Sequence, residues 1–339
     1  MDKKNTSVPH SINGWNFQVA AAIYVFLNYI RDAEKIGLEK TEDAEIVLKN
    51  GKTVFVQAKS ALNPDDIEQK SQFSAIKKAL KTLEGRDDSE VERLLVLFNF
   101  FKPFGNKVVF DPTSFDQKRY DNLISDAKKM IDDEISDKNY VIDKSKLGFW
   151  LLKFDGENKH AKLLEFFKEK FRINHFYDFE RVLEKWRILL YDNGSEIKRY
   201  IEKELLAGAA FQEMLSDEID EKVLDNLEIE YFAGDIDEVI RPEYVNYIQK
   251  LTYRFSLCNE YTARYLTFRK NNRGDLKADQ LLYKYVKKES EVIPDDINVI
   301  FSNITDETEK KNMFKLFLYS IGIKYRKVRQ ISEVMGLET

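Results

Sequence analysis

The chain has 339 residues, 43% hydrophobic and 33% charged, the balance of a globular protein long enough for two modest domains, each with its own core. Its net charge of −5 argues against a protein that coats nucleic acid with its whole surface, because such binders carry a net basic face. No run approaches about 18 uninterrupted apolar residues and no secretory apolar segment follows Met1-Asp2-Lys3-Lys4-Asn5, so neither a membrane span nor an export signal is expected and the cytoplasm is the default location.

In chain order, Trp15 to Ile30 reads as a largely apolar, buried helix. Gln18 is one of its few polar residues, and its plain role is a hydrogen bond near the helix start. Next comes Thr41 to Lys59, two alternating runs around Asn50-Gly51, the strongest short-range hairpin signal a sequence offers. Two registers compete. A two-residue Asn50-Gly51 loop sets Asp43 opposite Ala58, on the other side of the sheet from Gln57 and Lys59, and leaves no cluster. A three-residue Lys49-Asn50-Gly51 loop, closing with Gly51 in the left-handed region, sets Leu48 opposite Lys52 and Asp43 opposite Gln57. In this second register Ala44, Ile46, Leu48, Val54, Val56 and Ala58 share one face, and Asp43, Glu45, Gln57 and Lys59 the other. The register that best segregates the apolar residues also assembles the polar ones, and it is the one expected.

Asp43, Gln57 and Lys59 on paired strands suit a divalent metal held against a phosphodiester, since Mg²⁺ takes oxygen ligands and keeps several waters and phosphate oxygens. Asp43 is the expected principal ligand, Gln57 supplies a carbonyl oxygen, and the backbone carbonyl of Ala58 is a further candidate. Lys59 is placed to orient the attacking water or to stabilise charge growing on the phosphate. Glu39 and Glu45 are secondary carboxylates. The plain alternative is a solvent face, because half-exposed strands carry polar residues for solubility alone.

Asn63-Pro64, followed by Asp65, Asp66 and Glu68, predicts a capped helix that ends at Gly85. Arg93 to Asn99 reads as a buried strand, Lys107 to Phe110 as another, Phe115 to Glu134 as a helix and Gly148 to Phe154 as a late strand. From His160 the patterns are helical: 161–170, 176–190, 196–215, 242–269, 278–288 and 307–321. Cys258, the sole cysteine, excludes an internal disulfide framework and a cysteine-cluster zinc site and reads as core; His10, His160 and His175 form no ligand motif. Tyr and Phe at helical spacing from Tyr244 to Phe268 are core, or, with Arg254, Arg264 and Arg269 among them, a partner-binding face. Eleven acidic residues stand between Glu213 and Glu238 against one Lys222. They are ordinary surface, or a shield over a basic channel. Two basic groups, Arg264-Arg269-Lys270-Arg273 and Lys324-Arg326-Lys327-Arg329, are solvated helix termini or contacts to DNA.

The residues resemble the PD-(D/E)xK nucleases, and within them the double-stranded-DNA nuclease domain of bacterial anti-phage effectors. Gly14-Trp15-Asn16-Phe17-Gln18 resembles that domain's opening Gly-aromatic-Gln helix, Glu39-Lys40-Thr41-Glu42-Asp43 its Glu-x-x-Glu-Asp, and Gln57-Ala58-Lys59 its Gln-x-Lys. The resemblance is close up to Lys59 and looser, by element order, to residue 170. It implies Mg²⁺- or Mn²⁺-dependent cleavage of double-stranded DNA, with Asp43, Gln57 and Lys59 as the core site and Gln18 and Glu39 in support. The neutral Gln57 departs from the Glu or Asp of much of the superfamily and lowers the charge available to a metal. The remainder resembles the helical second half of the nuclease subunit of Lamassu-type systems, which work with an SMC-like ATPase and a small third subunit.

The expected architecture is therefore α/β: a PD-(D/E)xK restriction-endonuclease-like core over 1–170, then a mainly α-helical partner-binding or regulatory domain over 171–339. The expected function is a metal-dependent endonuclease subunit of an anti-phage complex, silent until triggered and oligomerising on activation. The alternatives are a nuclease-fold scaffold without chemistry and a stand-alone restriction-type nuclease.

Overall fold

The computed structural model describes residues 7–64, 67–86, 88–105, 109–111, 115–153, 161–171, 179–194, 199–213, 221–229, 242–272 and 277–337, with the side chains of 7–12, 194, 221 and 242–245 excepted. The chain is mixed α/β and divides into two compact units. The first comprises Met1–His175 and Trp186–Lys203, the second Phe176–Lys185 and Glu204–Thr339.

The first unit opens with α1 (Ser7–Asn28) and continues through β1 (Ala33–Leu38), β2 (Ala44–Leu48), β3 (Thr53–Lys59), α2 (Gln69–Leu83) and β4 (Val91–Phe98). There follow β5 (Asp116–Arg119), α3 (Ser125–Lys138), β6 (Leu147–Leu151), α4 (Ala161–Phe171), α5 (Phe179–Gly194), which crosses in from the second unit, and the two-residue β7 (Ile201–Glu202). The seven strands form one sheet in the order β5-β6-β4-β3-β2-β1-β7. β3, β4 and β6 run parallel at its centre and the outer pairings are antiparallel.

The β2–β3 register is the three-residue-loop one. Ala44 pairs with Val56 and Ile46 with Val54. Leu48 N–H donates to Lys52 O at 2.8 Å, Gly51 N–H to Leu48 O at 2.9 Å, and Gly51 sits at φ +80°, a conformation glycine adopts without steric cost. Ala44, Ile46, Leu48, Val54, Val56 and Ala58 are all buried. The opposite face is not the open solvent face of the plain alternative. Phe55 packs there with Ile76, Ala79, Leu80 and Leu83 of α2, and Glu45 and Gln57 are themselves buried.

Several boundaries differ from the sequence expectation. α2 begins at Gln69, not at Asn63, because Asn99 at the end of β4 accepts from Ala61 N–H and donates to Ala61 O, both at 2.8 Å, and so holds the chain extended after β3; Asp65 and Asp66 lie outside the described residues. Lys107 lies outside them too, while Val109 and Phe110 are buried without joining a strand. The segment expected to be helical from Phe115 starts as β5, whose alternating exposure marks a sheet edge, passes through a 3-10 turn at Tyr120–Asn122, and becomes α-helical at Ser125.

The second unit is helical among its described residues: the first part of α5, then α6 (Lys203–Gln212), α7 (Glu221–Leu227), α8 (Pro242–Tyr253), α9 (Phe255–Asn271), α10 (Ala278–Glu289), α11 (Asp295–Asn298) and α12 (Glu307–Met335). The single helix expected from Pro242 to Arg269 breaks at Arg254. There the backbone of Thr252 and Tyr253 comes so close to Gly208 that a Cβ would lie 2.4 Å from Thr252 O. α12 runs far past Ile321, since Gly322 serves packing rather than termination: the Leu282 side chain fills the place of its missing Cβ. Leu251, Phe255, Cys258, Tyr261 and Tyr265 are buried, as a core reading requires. His160, His175 and most of the acidic stretch from Glu213 to Glu238 lie outside the described residues, as does the His10 side chain.

Candidate active site

The candidate site forms where β3 ends and β2 begins. Glu39 follows β1 at φ +49°, a left-handed conformation that costs a residue with a Cβ roughly 1–2 kcal/mol. Its N–H donates to Asp43 O at 3.2 Å and closes the Glu39–Asp43 loop. The loop delivers Asp43 to the end of β3, where Asp43 Oδ2 accepts from Ala58 N–H at 2.7 Å and from Lys59 Nζ at 3.4 Å. Lys59, two residues beyond Gln57 and hence on the same strand face, also donates to Gln57 Oε1 at 2.5 Å. The Lys59 ammonium thus spans two oxygens, one from the Glu39–Asp43 loop and one from β3. Ala58, named from sequence for its carbonyl, meets Asp43 through its N–H.

Gln18 and Glu39 join the same cluster. Gln18, on α1, gives a side-chain hydrogen bond to the Glu39 carboxyl, and Asp43 and Lys59 are both close enough to act on its charge. Burial, followed by the Asp43 charge, lifts the Glu39 carboxyl above its ordinary value, while Gln18 and Lys59 oppose the shift. The Asp43 charge disfavours ionisation of Glu39, an effect that an added cation relieves.

Glu42 is a member that sequence reasoning did not assign a role. Strand alternation sends the residue before Asp43 to the opposite face, but the loop is not a strand and the rule fails there. The Glu42 side chain is fully buried, accepts from Gln57 Nε2 at 2.6 Å, and pairs through its other oxygen with Arg86, just beyond Gly85. The Arg86 guanidinium lies over the Phe55 ring, 4.9 Å from its centre. Burial raises the Glu42 carboxyl, against the pull of Arg86 and Gln57. The consequence for Gln57 is directional: with its amide nitrogen on Glu42, its carbonyl oxygen must face Lys59 and the open side.

Glu45, read from sequence as a secondary carboxylate, is committed elsewhere. One oxygen accepts from Thr41 N–H at 2.9 Å and Thr41 Oγ1 at 2.6 Å, the other from the Tyr200 hydroxyl at 2.6 Å. It braces the loop instead of lining the site. Tyr200, just ahead of β7, carries Lys35 and Lys40 over its ring at 5.3 and 5.1 Å; burial, then Glu45, pushes its phenol well up. A Cβ at Gly37 would lie 2.9 Å from both the Tyr200 ring and Lys40, so a larger residue there must displace these side chains.

Comparison with protein-family models, curated proteins and solved structures finds no match for this chain. The chemistry therefore rests on the side chains themselves. Among the described residues no three His, Cys, Asp or Glu side chains gather as a metal-holding group. What does gather is two carboxylates, one amide oxygen and one ammonium around a partly open corner, with the Asp43 side chain 15% and the Lys59 side chain 24% exposed.

Proposed function

We propose that this chain is a metal-dependent endonuclease for double-stranded DNA, built on a PD-(D/E)xK-like core. The observation that carries the reading is the meeting of Asp43, Gln57 and Lys59 in hydrogen-bond contact, with Glu39 and Gln18 adjoining. Those are the five positions that the resemblance singles out. The donor set fits Mg²⁺ or Mn²⁺: it is all oxygen, and one or two carboxylates completed by water and substrate phosphate is the usual Mg²⁺ arrangement. Asp43 and Glu39 would hold the ion, with Gln57 Oε1 beside them. When bound, the ion supplies Lewis-acid charge at the scissile phosphate.

The remaining steps belong to the chain. Lys59 holds the attacking water or the phosphate oxygen on which charge grows, the water oxygen forms the new P–O bond as its proton passes to solvent, and the bond to the leaving sugar oxygen breaks, that oxygen departing with the electron pair and taking a proton from solvent. Glu42 and Arg86 hold the Gln57 amide so that its oxygen, not its nitrogen, faces that chemistry. Gln18 steadies Glu39.

The biological setting we propose is an effector subunit of a bacterial anti-phage complex in the cytoplasm, partnered by an SMC-like ATPase and a small subunit, inactive until triggered and oligomerising when active. The helical unit is the partner-binding or regulatory part. One observation favours a second reading, a nuclease-fold scaffold without chemistry: the neutral Gln57 leaves only two carboxylates at the corner. Titration of the full chain with Mn²⁺, beside Asp43→Asn, separates the two. The nuclease reading expects saturable binding that the variant loses, with Mn²⁺-supported DNA cleavage; no binding and no cleavage would favour the scaffold.

A further inference from the structure

The two basic groups marked in the sequence meet on the second unit, and one tyrosine joins them. Arg269, near the end of α9, donates from Nη1 to the Tyr325 hydroxyl at 2.8 Å, and Arg326 of α12 donates from Nε to the same oxygen at 3.1 Å. Both guanidiniums also lie over the Tyr325 ring, at 5.5 and 5.8 Å from its centre. The ring is fixed from below by the buried Tyr265, 5.8 Å away. Lys270, Arg326 and Arg329 are exposed.

Helix electrostatics explain only part of the pattern. Arg269 and Lys270 stand in the last turn of α9, where cations are favoured. Lys324, Arg326, Lys327 and Arg329 stand well inside α12, which runs on to Met335, and there the dipole gives nothing because its effect is confined to the end turns. Like charges three positions apart on a helix, such as Arg326 and Arg329, cost a few tenths of a kcal/mol. Acids are sparse along these stretches: no Asp or Glu occurs from Tyr261 to Arg273 or from Lys324 to Ser332, and the next, Glu333, stands one turn beyond Arg329. Arg264, which the sequence grouped with Arg269, is excluded from the ridge by its ion pairs to Glu260 and Glu289 at 2.6 and 2.5 Å. Arg273 lies outside the described residues.

Neither Arg269 nor Arg326 meets a carboxylate among the described residues. Each guanidinium has five N–H donors and gives Tyr325 one. Burial pushes the Tyr325 phenol up, but the hydrogen bonds from Arg326 and Arg269 outweigh it and hold it below its ordinary value, as strong local positive charge requires. Two guanidinium forks fixed on one hydroxyl, with further cations beside them, form a pre-set receptor for closely spaced anionic oxygens.

We infer that the α9–α12 ridge of Arg269, Lys270, Arg326 and Arg329 binds the phosphodiester backbone of double-stranded DNA, a role that rests on the nuclease reading and gives the helical unit the affinity that the overall charge withholds. Contacts of this kind position without reading sequence. The test is fluorescence anisotropy of a labelled duplex with the full chain in EDTA, which separates binding from cleavage, over a salt series. Arg269→Gln/Arg326→Gln is expected to make the slope of log K against log salt shallower by about 2, and Arg329→Gln by about 1, equally for unrelated sequences. Arg329 is exposed, so its variant keeps the test valid should the double variant unfold. Arg269→Lys/Arg326→Lys is expected to keep the slope. Slopes equal to wild type in both Gln variants would overturn the ridge, even if wild type cuts DNA. Shallower slopes with no cleavage under any metal would uphold the ridge and count against the nuclease reading alone.

Discussion

Replacing Asp43 separates its structural role from its chemical one. In the wild type Asp43 Oδ2 accepts the Ala58 N–H at 2.7 Å, and Ala58 is only 7% exposed. Asp43→Ala leaves that buried donor unpaired, which costs about 1–3 kcal/mol. Relief of the like charge on Glu39 offsets part of this, so a net loss of about 1–2 kcal/mol is expected. Asp43→Asn retains an oxygen for the same N–H and should lie within about 0.5 kcal/mol of wild type. The three tryptophans, Trp15, Trp150 and Trp186, all belong to the first unit, so urea unfolding followed by tryptophan fluorescence reports on the unit that carries the site. In EDTA the expected order of stability is wild type close to Asn and clearly above Ala. With Mg²⁺ added, only wild type should gain, because a ligand bound by the native state alone stabilises it by mass action. An Asn variant as unstable as Ala, or either variant gaining with Mg²⁺ as wild type does, would refute this account of Asp43.

Glu39→Gln tests the raised carboxyl. A group lifted in the folded state contributes stability that is full below its unfolded value and lost as pH rises through the folded one; with an unfolded reference of 4.5, the variant in EDTA should gain on wild type between about pH 4 and 7, and urea midpoints showing no gain would contradict it. Glu42→Ala strands Arg86 and the Gln57 amide, and a loss of about 3 kcal/mol is expected for breaking so buried a pair; a loss under about 1 kcal/mol would mean that the Arg86–Glu42–Gln57 chain holds little. Tyr200→Phe keeps the ring against Gly37 but removes the hydroxyl from Glu45. Hydrogen exchange should quicken at the amides of Glu39 and Thr41 while β3 and β4 stay protected, and unchanged exchange in the loop would dismiss the brace.

The hairpin was legible because two independent signals agree on it. Asn50-Gly51 fixes a turn, and only one register puts all the apolar residues on a single face. Position in the sheet was not legible. Alternation shows that Glu45 and Gln57 share a face but not that α2 covers it. β5 and β7 are short edge strands whose partners are distant in sequence: Ile201 pairs with Ile36, and Asp116-Gln117-Lys118-Arg119 carries no apolar residue. The start of α2 was misplaced because the pull of Asn99 on Ala61 is a tertiary effect. Gly322 reads as a helix end, and only Leu282 shows why it is not one. Within the site, Asp43, Gln57 and Lys59 followed from the hairpin, whereas Glu42 needed the loop geometry and Arg86 gave no signal at all. The basic groups were visible separately, but their meeting at Tyr325 depends on α9 packing along α12.

The most direct measurement is single-turnover cleavage of plasmid and linear duplex DNA by the full chain, with its partners where these are required, in Mg²⁺, Mn²⁺ or EDTA, beside Lys59→Ala. Lys59 is partly exposed and makes no backbone contact within the cluster, so the variant should unfold at the same urea concentration as wild type and still bind Mn²⁺ through Asp43 and Glu39. Cutting by wild type is expected only when metal is present, with a loss of at least about 10²-fold in the variant, the scale expected for removing one preorganised charge from a transition state. Cleavage that survives in EDTA, or that Lys59→Ala leaves unchanged, would contradict the proposed function.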